Sequence, residues 1–95
     1  MKPSTPKAYH IIISGRVQGI SFRHYAKEKA RLYGISGWVR NLITGQIEIF
    51  AQGSNPQLDM FMEWCGHGPE GCEIDDIDTS EHPLEEDLDE FDIRS

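Results

Sequence analysis

The chain has 95 residues, of which 38% are hydrophobic and 26% charged, enough for one compact core and too few for a second, since chains split only beyond ~250 residues. Its longest aliphatic run, Ile11-Ile12-Ile13, falls far short of the ~20 apolar residues a membrane helix needs, and Met1 to Tyr9 has no apolar stretch of the secretory kind. The net charge of −7 divides into +6 over residues 1–50 and −13 over residues 51–95, which argues against wrapping a nucleic acid and leaves the basic half for a small anion.

Residues 7–14, around the three isoleucines, read as a first, central strand. Gly15 to Gly19 is a loop. From Phe22 the period changes: Phe22, Ala26, Ala30 and Tyr33 fall on one helical face. Ser21 is the expected N-cap and Gly34 the left-handed stop, so a helix is expected from Phe22 to Tyr33. Ser36 to Ile43 reads as a second strand and Gln46 to Gly53 as a third, joined by a tight Thr44-Gly45 turn. Ile47, Ile49 and Ala51 alternate with Glu48, Phe50 and Gln52, as in a half-buried strand. Pro56 suits the first position of a second helix, whose apolar face is Leu58, Phe61, Met62 and Cys65, with Gly66 closing it. Glu73 to Thr79 is a fourth strand, and the spacing of Ile74 and Ile77 breaks alternation as a bulge would. Phe91 and Ile93 mark a short last strand after an acidic stretch.

The order βαββαβ with a terminal β predicts a ferredoxin-like α+β sandwich. Its antiparallel sheet has order 4-1-3-2, with both helices on one face and the fifth strand at an edge. That fold hosts many functions and decides none.

Gly15-Arg16-Val17-Gln18-Gly19-Ile20-Ser21-Phe22-Arg23 joins the first strand to the first helix. Two glycines four apart let backbone N–H groups converge, and such a nest at a helix N-terminus binds anions. Arg23 lies in the first helical turn, where the helix dipole disfavours a cation. Its planar fork would make two hydrogen bonds to a phosphoryl group. The loop equally reads as a plain glycine turn with a surface arginine. It lacks the GK[ST] ending of a P-loop and the G-x-G-x-x-G of a dinucleotide site. In Gly37-Trp38-Val39-Arg40-Asn41, Val39 and Asn41 point one way and Trp38 and Arg40 the other. Asn41 at a strand end is either a turn residue or a group that orients a ligand or a water.

The two segments together, with Gly53, Trp64, Gly68-Pro69 and Phe91 following at the expected places, closely resemble the acylphosphatase family. The resemblance covers Lys7 to Ile93 of a chain expected to be a single domain over residues 1–95. It implies hydrolysis of the carboxyl–phosphate anhydride of a small acyl phosphate to a carboxylate and inorganic phosphate, without metal or organic cofactor. The family's phosphate-binding arginine falls on Arg23 and its water-orienting asparagine on Asn41. The cradle of backbone amides falls on Arg16, Val17, Gln18, Gly19 and Ile20. Ile20 stands where Val is more usual, and Thr44-Gly45 where Asp-Gly is common. A monomer in the cytoplasm, with no nucleic-acid or membrane partner, is the corresponding expectation.

The remaining chemistry-bearing residues read more plainly. His10, His24, His67 and His82 have no ligand spacing, and of these only His24, next to Arg23, is a candidate for the substrate. Cys65 and Cys72 match no CxxC pattern and are expected as free thiols in a reducing compartment. Trp38 and Trp64 read as core, and Arg16 and Arg40 as solvated strand or loop residues. The acidic runs lack a calcium-loop pattern and read as a solvated face. Two rivals remain. One is a ferredoxin-like module that binds an anion or partner without catalysis, which has no evident need of Asn41. The other is the acylphosphatase-like domain of hydrogenase-maturation carbamoyltransferases, which shares the motif pair.

Overall fold

The computed structural model describes residues 5–19 and 21–95. Its elements are β1 (Lys7–Arg16), α1 (Phe22–Tyr33), β2 (Ser36–Asn41), β3 (Ile47–Gly53), α2 (Asn55–His67), β4 (Glu73–His82) and β5 (Phe91–Ile93). The strands form one sheet in the order β4-β1-β3-β2-β5. The expected ferredoxin-like order is therefore present, with β5 on the edge beside β2. β5 runs parallel to β2, while the other three pairings are antiparallel. The full sheet is thus mixed, because the chain returns to β2 by a crossover and not by a hairpin.

Period-two alternation decides which side of the sheet is buried. Ile11 and Ile13 of β1, Val39 of β2, and Ile47, Ile49 and Ala51 of β3 point to the helix side and are fully buried. The helices answer with Phe22, Ala26 and Ala30 from α1 and Leu58, Phe61 and Cys65 from α2. Phe91 of β5 closes the cluster against Phe61, their rings 5.7 Å apart. α1 spans the interval its apolar spacing predicts. Gly34 ends it in the left-handed conformation at φ 73°, its N–H bonding back to Arg31 O.

Several boundaries differ from expectation, each for a local reason. β2 stops at Asn41, not Ile43, because Leu42 opens a tight turn. Gly45 N–H donates to Leu42 O at 3.1 Å and Leu42 N–H to Gln46 O at 2.8 Å, leaving Ile43 fully exposed at the tip. α2 begins one residue before Pro56 because Ser54 caps it: Ser54 Oγ accepts from Gln57 N–H while Gln57 Oε1 accepts from Ser54 N–H at 2.9 Å. The Ser54-Asn55-Pro56-Gln57 pattern carries that reciprocal signature in the sequence. α2 also runs past Gly66 to His67. β4 extends to His82 because β1 offers it a partner as far back as Ala8. The bulge is present: β4 slips register between Ser14 and Gly15 of β1, passing over Asp75, so that Ile74 and Ile77 both reach the core.

The helix-free face is less bare than the alternation implies. Phe50 is buried there, stacked on Trp38 with ring centres 6.2 Å apart and met edge-on by His82 at 5.2 Å. Trp38 is therefore no part of the helix-side core. Its ring carries the guanidinium groups of Arg40 and Arg94 at 5.5 and 4.9 Å. Trp64 does pack on the core, 5.2 Å from Phe22.

Gly37 shows how tightly β2 and β3 meet. Its φ is +146°, and an added Cβ would collide with the carbonyl oxygen of Phe50, which is backbone and has nowhere to move. Gly37→Ala should cost more than ~2 kcal/mol of folding free energy. Gly66→Ala, in α2 with open space around it, should gain ~0.5–1 kcal/mol from helix propensity. Urea midpoints of the two variants check this, and a Gly37→Ala midpoint near wild type would refute the steric argument.

Glu48 is the acid most enclosed by the helix-free face. Its carboxylate accepts from His10 Nε2 at 2.6 Å and pairs with Arg40. Burial pushes the carboxyl up, but the His10 and Arg40 hydrogen bonds and charges outweigh it and hold the group below its ordinary value. The ionised form is thus favoured by folding. Its stabilisation is present above the ordinary carboxylate range and is lost as pH falls through the depressed native value. Glu48→Gln should cost about 1–3 kcal/mol at pH 7 and less at pH 3, below the ordinary carboxylate range, read from urea unfolding at both.

Candidate active site

The β1–α1 loop is held from below and open above. Val17 is fully buried and anchors it, while Gly19 sits exposed at φ +84° with open space where a side chain would be. Ser21 occupies the N-cap position as expected, but it is left-handed (φ 60°, ψ 27°) and its side chain makes no cap bond. The N–H groups of His24 and Tyr25 turn back to Ser21 O at 3.1 and 3.2 Å. The amides ahead of them lie at the positive end of the helix, where orphan donors attract an anion.

A pocket of about 250 Å³ opens at this point, lined by Val17, Gln18, Gly19, Ser21, Phe22, Arg23, His24 and Asn41. It has room for a phosphoryl group and waters, each water taking ~30 Å³. Arg23 and Asn41, eighteen positions apart, are thereby brought into one cavity with the glycine loop. Arg23 is half-buried in the first turn of α1. Asn41 ends β2 on the helix side, the side of Val39. Its Oδ1 is buried and has no hydrogen-bond partner among the described residues. A buried acceptor without a donor is costly and marks a place where a water or ligand belongs.

Of the expected amide cradle, Val17, Gln18 and Gly19 line the pocket. Arg16 does not; it is the last residue of β1, paired with Glu73. Ile20 lies outside the described residues. His24, the one histidine that is a candidate on sequence, and Ser21 join the lining. The Gln18 side chain is the contact that sequence reasoning missed. Its Nε2 donates to Leu42 O at 2.8 Å and to Gln46 O at 2.9 Å, tying the loop to the β2–β3 turn. Those partners are remote in sequence, so no local pattern announces them.

The cysteines stand apart from the pocket, and both are free. Burial pushes the Cys65 thiol far up, so it stays protonated and inert; burial also raises Cys72, against a smaller opposing backbone hydrogen bond. Among the described residues, no three His, Cys, Asp or Glu side chains converge as a metal site. Among the described residues, no helix is long and apolar enough to cross a membrane.

A ferredoxin-like sandwich whose first strand–helix loop forms a polar pocket with Arg and Asn defines a small α+β protein suited to an oxyanion. The acylphosphatase family profile matches residues 9–93. An acylphosphatase of Marinobacter nauticus is 40% identical over 87 residues, 92% of this chain and 95% of that one. The crystal structure of acylphosphatase from Bacillus subtilis is 34% identical with a TM-score of 0.89, over 94% of this chain and 99% of that one. HypF from T. kodakarensis matches 94% of this chain with 12% of its own, at 30% identity and a TM-score of 0.82. The chain belongs to the acylphosphatase family, whose function is the hydrolysis of acyl phosphates.

Proposed function

We propose that this chain, an acylphosphatase by family, is one catalytic domain that carries its chemistry in the Arg23–Asn41 pocket. The substrate is a small acyl phosphate and the products are a carboxylate and inorganic phosphate. Arg23 and the loop amides of Val17, Gln18 and Gly19 bind the phosphoryl oxygens. They stabilise the charge of a loose, in-line transition state. Asn41 Oδ1 accepts a hydrogen bond from a water and holds it opposite the leaving oxygen. The water oxygen bonds to phosphorus as the phosphorus–acyl oxygen bond breaks, and the electron pair leaves with the carboxylate. That carboxylate has a pKa near ~4–5 and departs unprotonated, so no general acid is needed. The water's proton ends on the phosphoryl group. No metal or organic cofactor takes part.

The observation that carries this reading is that Asn41, whose buried Oδ1 has no partner among the described residues, lines the same cavity as Arg23. A pure anion binder gains nothing from burying an acceptor beside its anion. The protein acts as a monomer in the cytoplasm. Hydrolysis of benzoyl phosphate in the presence of a chelator, with inorganic phosphate as competitive inhibitor, is the test. Turnover unaffected by the chelator is expected. Phosphate binding to folded protein without turnover would overturn the catalytic reading in favour of an anion-binding module.

A further inference from the structure

The side chain of Gln18 joins the two halves of the pocket. Its backbone lies in the loop between Arg16 and Gly19, while its carboxamide crosses to the β2–β3 turn. Both N–H bonds of Nε2 are spent there, one on Leu42 O and one on Gln46 O, at 2.8 and 2.9 Å. These carbonyls flank the turn. Leu42 directly follows Asn41, and Gln46 O already accepts from Leu42 N–H at 2.8 Å. One amide group therefore fixes the mouth of the turn at the point where β2 releases Asn41. A second tie, Gln46 Nε2 to Ser14 Oγ at 2.9 Å, fastens the same turn to β1 but does not reach the loop.

We propose that Gln18 is a positioning residue: its carboxamide sets the distance between the loop that holds the phosphoryl group and the Asn41 amide that holds the water. The inference rests on the proposed roles of Arg23 and Asn41. The geometry explains the residue type. Two carbonyl acceptors on one side demand two N–H donors from a single flat group of this reach. Methionine has the length without the donors, and glutamate would set a carboxylate oxygen against both carbonyls. Without the bridge, the loop would keep its backbone amides and Arg23, whereas Asn41 would lose its register with them. The damage belongs to the attack step and not to phosphate binding.

The test is a double-mutant cycle of Gln18→Met with Asn41→Ala, on folded protein well below its unfolding temperature. Benzoyl phosphate kinetics and inhibition by inorganic phosphate are the readouts. Gln18→Met is expected to lower kcat ~10- to 100-fold, as misplacement of a reacting group does. KM and the phosphate inhibition constant should stay within about threefold. In the Asn41→Ala background the same substitution should change kcat by less than about twofold, because there is no longer a placed water to lose. Gln18→Glu should reproduce the kcat defect. An equal loss of kcat in both backgrounds, or a loss confined to KM and phosphate inhibition, would overturn the proposal. Wild-type kcat in Asn41→Ala itself would instead remove the water-orienting role on which it rests, and that single variant tells the two failures apart.

Discussion

Arg23→Ala is expected to lower kcat/KM for benzoyl phosphate by ~10³-fold and to weaken competitive inhibition by inorganic phosphate. Arg23 is electrostatically out of place. Arg23 sits in the first turn of α1, beside the positive end of the helix, and Arg31 is the basic residue that the last turn favours. Nothing in the fold asks for a guanidinium at that site: the core contact of this turn is Phe22, buried against Trp64. A dianionic phosphoryl group in the adjoining cavity would reverse the sign of the local field and make the arginine favourable. Arg23→Lys should retain only a small part of the activity, with ~10²-fold loss, since one ammonium cannot reproduce two parallel N–H bonds. The alanine variant should fold as well as wild type or slightly better. A variant with intact turnover and intact phosphate inhibition would remove Arg23 from the site.

Asn41→Ala should act on the other term of the rate equation. Its kcat is expected to fall ~10²- to 10³-fold while KM and the phosphate inhibition constant stay near wild type, because the lost interaction is with the attacking water. Stability provides the control. Asn41 Oδ1 is buried without a partner, so deleting it removes a desolvation cost. The urea midpoint should be unchanged or raised. A drop in midpoint with proportionate loss of activity would mean that Asn41 is a structural turn residue.

Much of this architecture is written in periodicity. The helix of Phe22, Ala26 and Ala30 is readable because its i, i+4 spacing has one apolar face and a glycine stop. The alternation of Ile47, Ile49 and Ala51 places β3 inside a sheet for the same reason. Leu42-Ile43 misleads because two aliphatic residues after a strand look like more strand. The Leu42–Gly45 hydrogen bond turns the chain there and leaves Ile43 in solvent. Trp38 and Phe50 mislead differently. Alternation correctly assigns them to the polar side, but only the neighbouring strands and Arg94 supply the partners that cover them.

The same division runs through the site. Local sequence determined that the β1–α1 loop bends on glycines, that an arginine stands at a helix start where the dipole disfavours it, and that an asparagine ends a strand. These are short-range properties of backbone conformation and side-chain chemistry, so neighbouring residues suffice to express them. Tertiary structure alone decided that Arg23 and Asn41 share one cavity, that Arg16 stays on the strand outside it, and that the Gln18 amide reaches Leu42 and Gln46. Those facts depend on the register of β1 and β2 against β3. That register follows from burying all of the apolar faces at once, a condition no single stretch of the chain contains.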